Sequence, residues 1–341
     1  MSLQATAPSP QRQRPEWAGD TLLSRAVNAA IGNRWLWDTL MKPMARQTLI
    51  KTAEDNGVAW RAQVAAWEAP AQAAAVAALK DQLTDPSVPY PGYYLLPFHA
   101  YDDGNMNWLA AFEAEAATYS MALRVWPSEV KSGSLGAEAA QRRLRGGYTG
   151  AVAAYLGEHG LSAPRTVLDV GCSIGISTRA LAAAFPDAES VTGMDLSPFM
   201  LAVAAARDAA GQGLDAQGAE RRRWVHGLAE ATRLADCSVD LYSAAFVHHE
   251  LPTAASRAVM AEAFRVLRPG GVYVMCDNDP KSEVIQNLPP ALFTLMKSTE
   301  PHSDEYYALD VEGELAAAGF AHPRSTRTDP RHRTVVAHKP L

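Results

Sequence analysis

Apolar and polar positions follow two different rhythms along the chain, with the change near residue 165. Upstream, apolar residues recur at helical spacing, first at Leu22, Leu23, Ala26, Val27 and Ala30, then at Val58, Trp60, Val64 and Trp67. This predicts a helical arm over 18–84, with Pro43 and Pro70 as interruptions. Asp85 to Gly92 holds Pro86, Pro89 and Pro91 and reads as a linker. The aromatic run Tyr93 to Tyr101 follows, then a helical pattern through Trp108, Phe112, Tyr119 and Leu123, a loop at Gly133 to Gly136, and a helix from about 147 to 159 after Arg142 to Arg145. Together these predict an aromatic-rich helical cap over 85–160. Residues 1–17 carry Arg12 and Arg14 among Ser, Gln and Pro, with no acid before Glu16. They read as a disordered end, with an organelle-targeting remnant as the alternative.

Downstream, short β-branched or apolar runs alternate with alanine-rich helical stretches, which predicts an α/β domain over 161–341 built on a parallel sheet. The expected strands are Thr166 to Val170, Ser190 to Met194, Trp224 to His226, Val239 to Ser243 and Gly271 to Cys276, with helices near 176–185, 198–210 and 254–267. Two further strands, near 322–328 and 333–338, flank Asp329-Pro330 and predict a terminal hairpin.

Composition narrows the function classes. With 341 residues, 48% of them apolar, the chain can bury a large core. A net charge of -6 supplies no field that would draw it to nucleic acid, and no segment is apolar enough over sufficient length to span a membrane. The arm's Trp35, Trp37, Trp60 and Trp67 read as packing residues, not base-stacking platforms. Cys172, Cys237 and Cys276 have no CxxC spacing and their odd number leaves one unpaired, so the expectation is a reducing compartment, cytoplasmic or plastid, without zinc. No metal is expected elsewhere either: Asp277-Asn278-Asp279 reads as a turn before Pro280.

The most informative segment is Thr166-Val167-Leu168-Asp169-Val170-Gly171-Cys172-Ser173-Ile174-Gly175, a buried strand running into a glycine bend that opens a helix. Such a bend lets backbone approach a ligand and leaves helix N-terminal amides facing it. A dinucleotide enzyme would show GxGxxG and seat a pyrophosphate there. Here the pattern is D-x-G-x-x-x-G, and the leading carboxylate would repel a pyrophosphate but suit the α-ammonium of a methionyl group. Asp195 ends the next strand, where doubly wound folds hold a ribose diol by a carboxylate. The competing reading makes it an N-cap for the helix at Ser197-Pro198. His226-Gly227-Leu228-Ala229-Glu230 follows the third strand, and Leu267-Arg268-Pro269-Gly270-Gly271 reads as a helix stop feeding the fifth.

With these four elements in order, the stretch from about 165 to 341 resembles class I S-adenosylmethionine-dependent methyltransferases of the ubiquinone/menaquinone-biosynthesis-like (methyltransferase type 11) group. The resemblance implies a Rossmann-like seven-stranded sheet closed by an antiparallel hairpin, with S-adenosyl-L-methionine at the carboxyl ends of the strands. It implies Asp169, Gly171 and Gly175 on the methionine side, with Cys172 and Ser173 in the same bend and Phe246 at the end of the fourth strand. Asp195 would take the ribose, and Leu196, Leu228 and Ala229 the adenine. Leu228 departs from the pattern, since many relatives carry Asp there for the adenine amino group; backbone groups or Glu230 must then do that work. Tyr93 to Trp108 and Leu292 to Tyr307 also resemble a less-studied subgroup of photosynthetic organisms.

Methyl transfer needs an acceptor held in line and, for a hydroxyl, amine or acidic carbon, a base. His248 or His249, beyond the fourth strand, is the expected base, with packing beneath the loop as the alternative for one of them. His99 and Tyr101 in the aromatic cap, and His302 and Tyr306 in the polar loop after Phe293 to Met296, are the expected acceptor-site residues. The expected partner is a small molecule, aromatic or lipid-like because the cap is rich in Tyr, Phe and Trp. A protein substrate, and a catalytically silent cofactor-binding protein, are the alternatives.

Overall fold

Seven strands form one sheet: β1 (Thr166–Val170), β2 (Ser190–Asp195), β3 (Arg222–His226), β4 (Val239–Ala245), β5 (Leu267–Asn278), β6 (Ala321–Arg327) and β7 (His332–His338). The computed structural model describes residues 42–99, 101–211, 218–288 and 300–341. The expected features within 1–41 and the apolar stretch Phe293 to Met296 lie outside the described residues. The strand order is β3-β2-β1-β4-β5-β7-β6, with β7 antiparallel to β5 and β6 and the other pairs parallel. The order reverses between β1 and β4, and open sheets of this kind bind ligands in the crevice at the carboxyl ends of such a pair.

The predicted strands all form, and most run longer than their apolar cores suggested. β5 begins at Leu267, because the Arg268 to Gly271 segment is accommodated as a register shift against β4 rather than as a helix stop alone. β6 tolerates Pro323 because it is the edge strand, where a missing amide hydrogen removes no ladder bond. β7, the penultimate strand, is buried along its whole length.

Helices α1 (Lys42–Asp55), α2 (Trp60–Glu68) and α3 (Pro70–Leu83) form the described arm, followed by α4 (Trp108–Leu123) and α5 (Ala137–Glu158). α6 (Ile176–Ala184), α7 (Pro198–Ala209) and α8 (Thr253–Val266) connect the parallel strands, and α9 (Ser303–Ala308) and α10 (Val311–Ala317) precede the hairpin. Pro43 and Pro70 lie in the first turns of α1 and α3, where their missing amide hydrogens cost nothing, and Pro70 marks the expected interruption, between α2 and α3. α5 starts ten residues before the expected 147, running through Gly146-Gly147. A side chain at Gly147 would come within 2.9 Å of the Thr328 carbonyl, so this glycine admits the hairpin turn to the helix.

The sheet is covered on both faces. Tyr148, Val152 and Tyr155 of α5 pack with Leu181, Val191 and Val274 on one side, while Val259, Met260 and Ala263 of α8 pack with Tyr242, Tyr273 and Leu315 on the other. The arm joins this structure through Trp67 and Val76, which pack with Phe112 of α4 on Met200 and Val203 of α7. Glu113 ties arm to cap: its buried carboxylate pairs with Arg46 and accepts from Trp60 Nε1 (3.0 Å) and the Tyr101 hydroxyl.

Candidate active site

β1 leaves the sheet into a bend in which Gly171, Ser173 and Gly175 all have positive φ, at 60°, 51° and 81°. Glycine is required at two of these positions on steric grounds too: a Cβ on Gly171 would lie 2.5 Å from Val247 Cγ2, and one on Gly175 would lie 2.1 Å from the Trp224 ring. The Cys172 amide donates to the Met194 carbonyl (3.1 Å), and its thiol is buried. The Ser173 amide donates to Asp195 Oδ2 and the Ser197 amide to Asp195 Oδ1, each at 2.7 Å. Asp195 therefore staples the bend to the end of β2. The N-cap of α7 is Ser197, whose Oγ accepts from the Met200 amide, so the capping alternative for Asp195 does not hold. Burial pushes the Asp195 carboxyl up to about 6, against the pull of those two amides. Beside it lies the buried Tyr94 hydroxyl, which adds to that pull on the carboxyl.

Asp169 differs from expectation. It is fully buried; Oδ2 accepts from Ser177 and Thr178 (2.7 Å each) and Oδ1 from Ser243 (2.6 Å), whose hydroxyl also meets Tyr148 Oη. Three hydroxyls occupy the carboxylate that was expected to meet an ammonium, so its visible role is to anchor the bend from below. Arg145 of α5 lies over the Phe246 ring, 5.2 Å from its centroid, with Nε and Nη1 buried and unpartnered among the described residues.

The segment after α3 covers the β2 and β3 ends. His226 Nδ1 accepts from the Asp85 amide (3.0 Å), which puts the ring proton on Nε2, facing the Leu196 carbonyl (3.1 Å) and Tyr90 Oη (3.0 Å). The Asn105 carbonyl accepts from Ser197 Oγ (2.7 Å). Leu196 is buried, Leu228 and Ala229 are half-buried, and the Ala229 carbonyl is held by the Tyr242 hydroxyl (2.8 Å). Glu230 accepts from Tyr93 Oη, so it is already engaged by the covering segment.

Beyond β4 the two histidines part company. His248 is fully buried in the core between Ser256 Oγ (Nδ1, 3.0 Å) and Tyr273 Oη (Nε2, 2.5 Å), and burial holds it neutral, pushed down to about 4. It faces protein on both nitrogens and is a packing residue, not a base. His249 turns the other way: its amide donates to Asp277 Oδ2 (3.1 Å) and its Nδ1 lies 2.9 Å from Asp277 Oδ1. Burial alone would depress its pKa, but the Asp277 carboxylate prevails and holds the imidazole well above its ordinary value. Asp277 and Asn278 are strand residues of β5, not a turn. Glu250 lies next to this pair, pushed up to about 8 by burial and by Asp195, Glu300 and Asp277, with His249 opposing.

The expected acceptor residues separate in the same way. His99 stands at the cluster, with Nε2 3.9 Å from Glu300 Oε1. Tyr101 turns into the cap to reach Glu113, and Tyr306 is buried, donating to the Asn278 carbonyl (2.7 Å); both are spent on packing. His302 lies with Nδ1 3.2 Å from Glu305 Oε1 and its ring edge-on to Tyr93. Tyr94, Arg145 and Asp277 also stand at this edge and were not among the expected site residues. For Asp277 the signal was present, an acid at the carboxyl end of a strand, and the flanking Asn278, Asp279 and Pro280 disguised it as a turn.

Residues 167–271 match the family model of a methyltransferase domain. A trans-aconitate 2-methyltransferase of Methylobacterium radiotolerans is 37% identical over 38% of this chain and 44% of its own length. The ubiquinone/menaquinone biosynthesis C-methyltransferase UbiE of Methylobacterium nodulans is 40% identical over 33% of this chain and 41% of its own. The matched stretch thus spans less than half of each relative. Among solved structures, a phosphoethanolamine N-methyltransferase 2 of Haemonchus contortus in complex with S-adenosyl-L-methionine aligns at TM-score 0.49 and 16% identity, over 74% of this chain and 61% of that one.

Proposed function

Taking residues 167–271 as a class I methyltransferase domain, we propose that this chain transfers a methyl group from S-adenosyl-L-methionine to a small-molecule acceptor. The observation that carries the reading is the Asp195 staple: a carboxylate at the carboxyl end of β2, clamped by two amides, 8% exposed, with the buried Tyr94 hydroxyl alongside. That is a preorganised acceptor for a vicinal diol, and the left-handed bend between Gly171 and Gly175 brings backbone rather than side chains to the ligand. The residues fit the cofactor. Asp195 takes the ribose hydroxyls, Leu196, Leu228 and Ala229 flank the adenine, and Phe246 and the unpartnered nitrogens of Arg145 face the methionyl end, where a guanidinium suits its carboxylate. When bound, the sulfonium supplies an activated methyl group for in-line displacement.

The chain's own part is to position and to exclude water. Tyr90, Tyr93 and Tyr94 close the adenosyl side, and the His99, His249, Glu250 and Glu300 cluster beyond β4 forms the acceptor side. His249, oriented by Asp277, and Glu250 are the groups there able to hold or move a proton. The named acceptors of the relatives support a small molecule: one acts on trans-aconitate and the other in ubiquinone and menaquinone biosynthesis. Incubating the purified chain with methyl-labelled cofactor and a fractionated extract tests this. Label recovered in a low-molecular-weight product is the expected result; label confined to protein, or cofactor binding with no product at all, overturns it.

A further inference from the structure

We propose that His99, His249 and Glu250 form a binding site for a first-row divalent cation of the zinc type. One ring nitrogen from each histidine and one Glu250 oxygen lie within 4.8 Å of one another. Zinc holds nitrogen and oxygen ligands at about 2.0–2.2 Å in a tetrahedral set, which puts its donors about 3.4 Å apart, so side-chain rotations that close the group by on the order of 1 Å complete the set. The three donors come from two separate parts of the fold, His99 from the loop after Phe98 and His249 with Glu250 from the turn beyond β4, and a second carboxylate, Glu300, lies 3.9 Å from His99 Nε2.

Two further observations point to a ligand here. Glu300 Oε2 is buried with no hydrogen-bond partner among the described residues, an arrangement that costs free energy unless something satisfies it. Asp277 Oδ1 lies 2.9 Å from His249 Nδ1 while its Oδ2 accepts from the His249 amide, so the carboxylate is placed to orient a metal-binding imidazole. The His99 side chain, 42% exposed, leaves the cluster open on one side for an ion to enter and for an acceptor to complete its coordination. Two imidazoles with carboxylate oxygen favour zinc, iron or cobalt over magnesium, which prefers oxygen throughout. Where the methyl-transfer reading holds, such a cation selects acceptors that present a hydroxyl or carboxylate oxygen.

The cation itself is tested without any methyl donor. The chelator-stripped full chain is titrated with zinc and, in parallel, with magnesium by calorimetry, and with cobalt by visible absorption. One equivalent of zinc, visible cobalt bands and no magnesium heat are expected. His99→Ala, at an exposed position the fold does not depend on, and Glu250→Gln each weaken zinc binding at least tenfold. His322→Ala, which thins a separate histidine group with His159 and His338, leaves the titration unchanged. Absence of zinc binding, or wild-type affinity in both His99→Ala and Glu250→Gln, overturns the proposal while leaving the methyl-transfer reading untouched.

Discussion

At the scale of single residues, adjacent positions do opposite work according to what their rings face. His248 stabilises the core: His248→Ala strips partners from Ser256 and Tyr273 and costs about 2 kcal/mol, read as a lower denaturation midpoint, with cofactor affinity unchanged in the folded fraction. Asp195 carries the pH dependence. Its folded pKa of about 6 is raised above the ordinary 3.8, so the folded chain binds the proton more tightly than the unfolded one. The contribution to the stability of the cofactor-free fold is fully present below 3.8 and lost as pH rises through about 6. Ribose binding has the opposite sign, because it needs the carboxylate. Cofactor affinity measured at pH 5 is expected to be roughly tenfold below that at pH 7, and in Asp195→Asn this dependence vanishes. An equal slope in the variant would assign the pH effect elsewhere.

Elements show where patterning speaks and where it misleads. The strands were legible because buried parallel strands read as short β-branched runs between turn residues, and α7 because Ser197-Pro198 is a strong start. α5 was half missed because Gly146-Gly147 reads as a break, whereas Gly147 is small to admit Thr328 and tertiary packing holds the helix through it. The two roles of glycine in this helix separate experimentally. Gly147→Ala is expected to cost about 1 kcal/mol or more by pushing against a backbone carbonyl, while Gly150→Ala, with nothing within 4 Å, stabilises by about 0.5–1 kcal/mol through helix propensity. Thermal melts of the two variants moving in the same direction would contradict this. The bend at Gly171 to Gly175 was legible as a strand-to-helix turn from spacing alone, but the engagement of Asp169 by three hydroxyls was not, since Ser177, Thr178 and Ser243 carry no pattern that marks them as its partners.

On the scale of the whole molecule, the helices before β1 pack onto the sheet domain and the segment after α3 covers the carboxyl ends of β2 and β3. Glu113 is the link, buried and shared by Arg46, Trp60 and Tyr101. Glu113→Ala leaves a partly buried guanidinium and an indole without their acceptor and is expected to cost about 2–3 kcal/mol, with protease sensitivity appearing first in the arm. No helix among the described residues is long and apolar enough to cross a membrane. The proposed division of the sheet edge, an adenosyl side under the tyrosines and an acceptor side under the histidine cluster, rests on topology that the hydrophobic rhythm predicted and on side-chain pairings that it did not. The most direct test of this arrangement is calorimetric titration of the wild-type chain and of Asp195→Ala with S-adenosyl-L-methionine at pH 7. A single saturable site in the wild type, weakened at least tenfold in a variant that melts no earlier, is the predicted result; wild-type protein that takes up no cofactor, or a variant that binds it equally well, would contradict it.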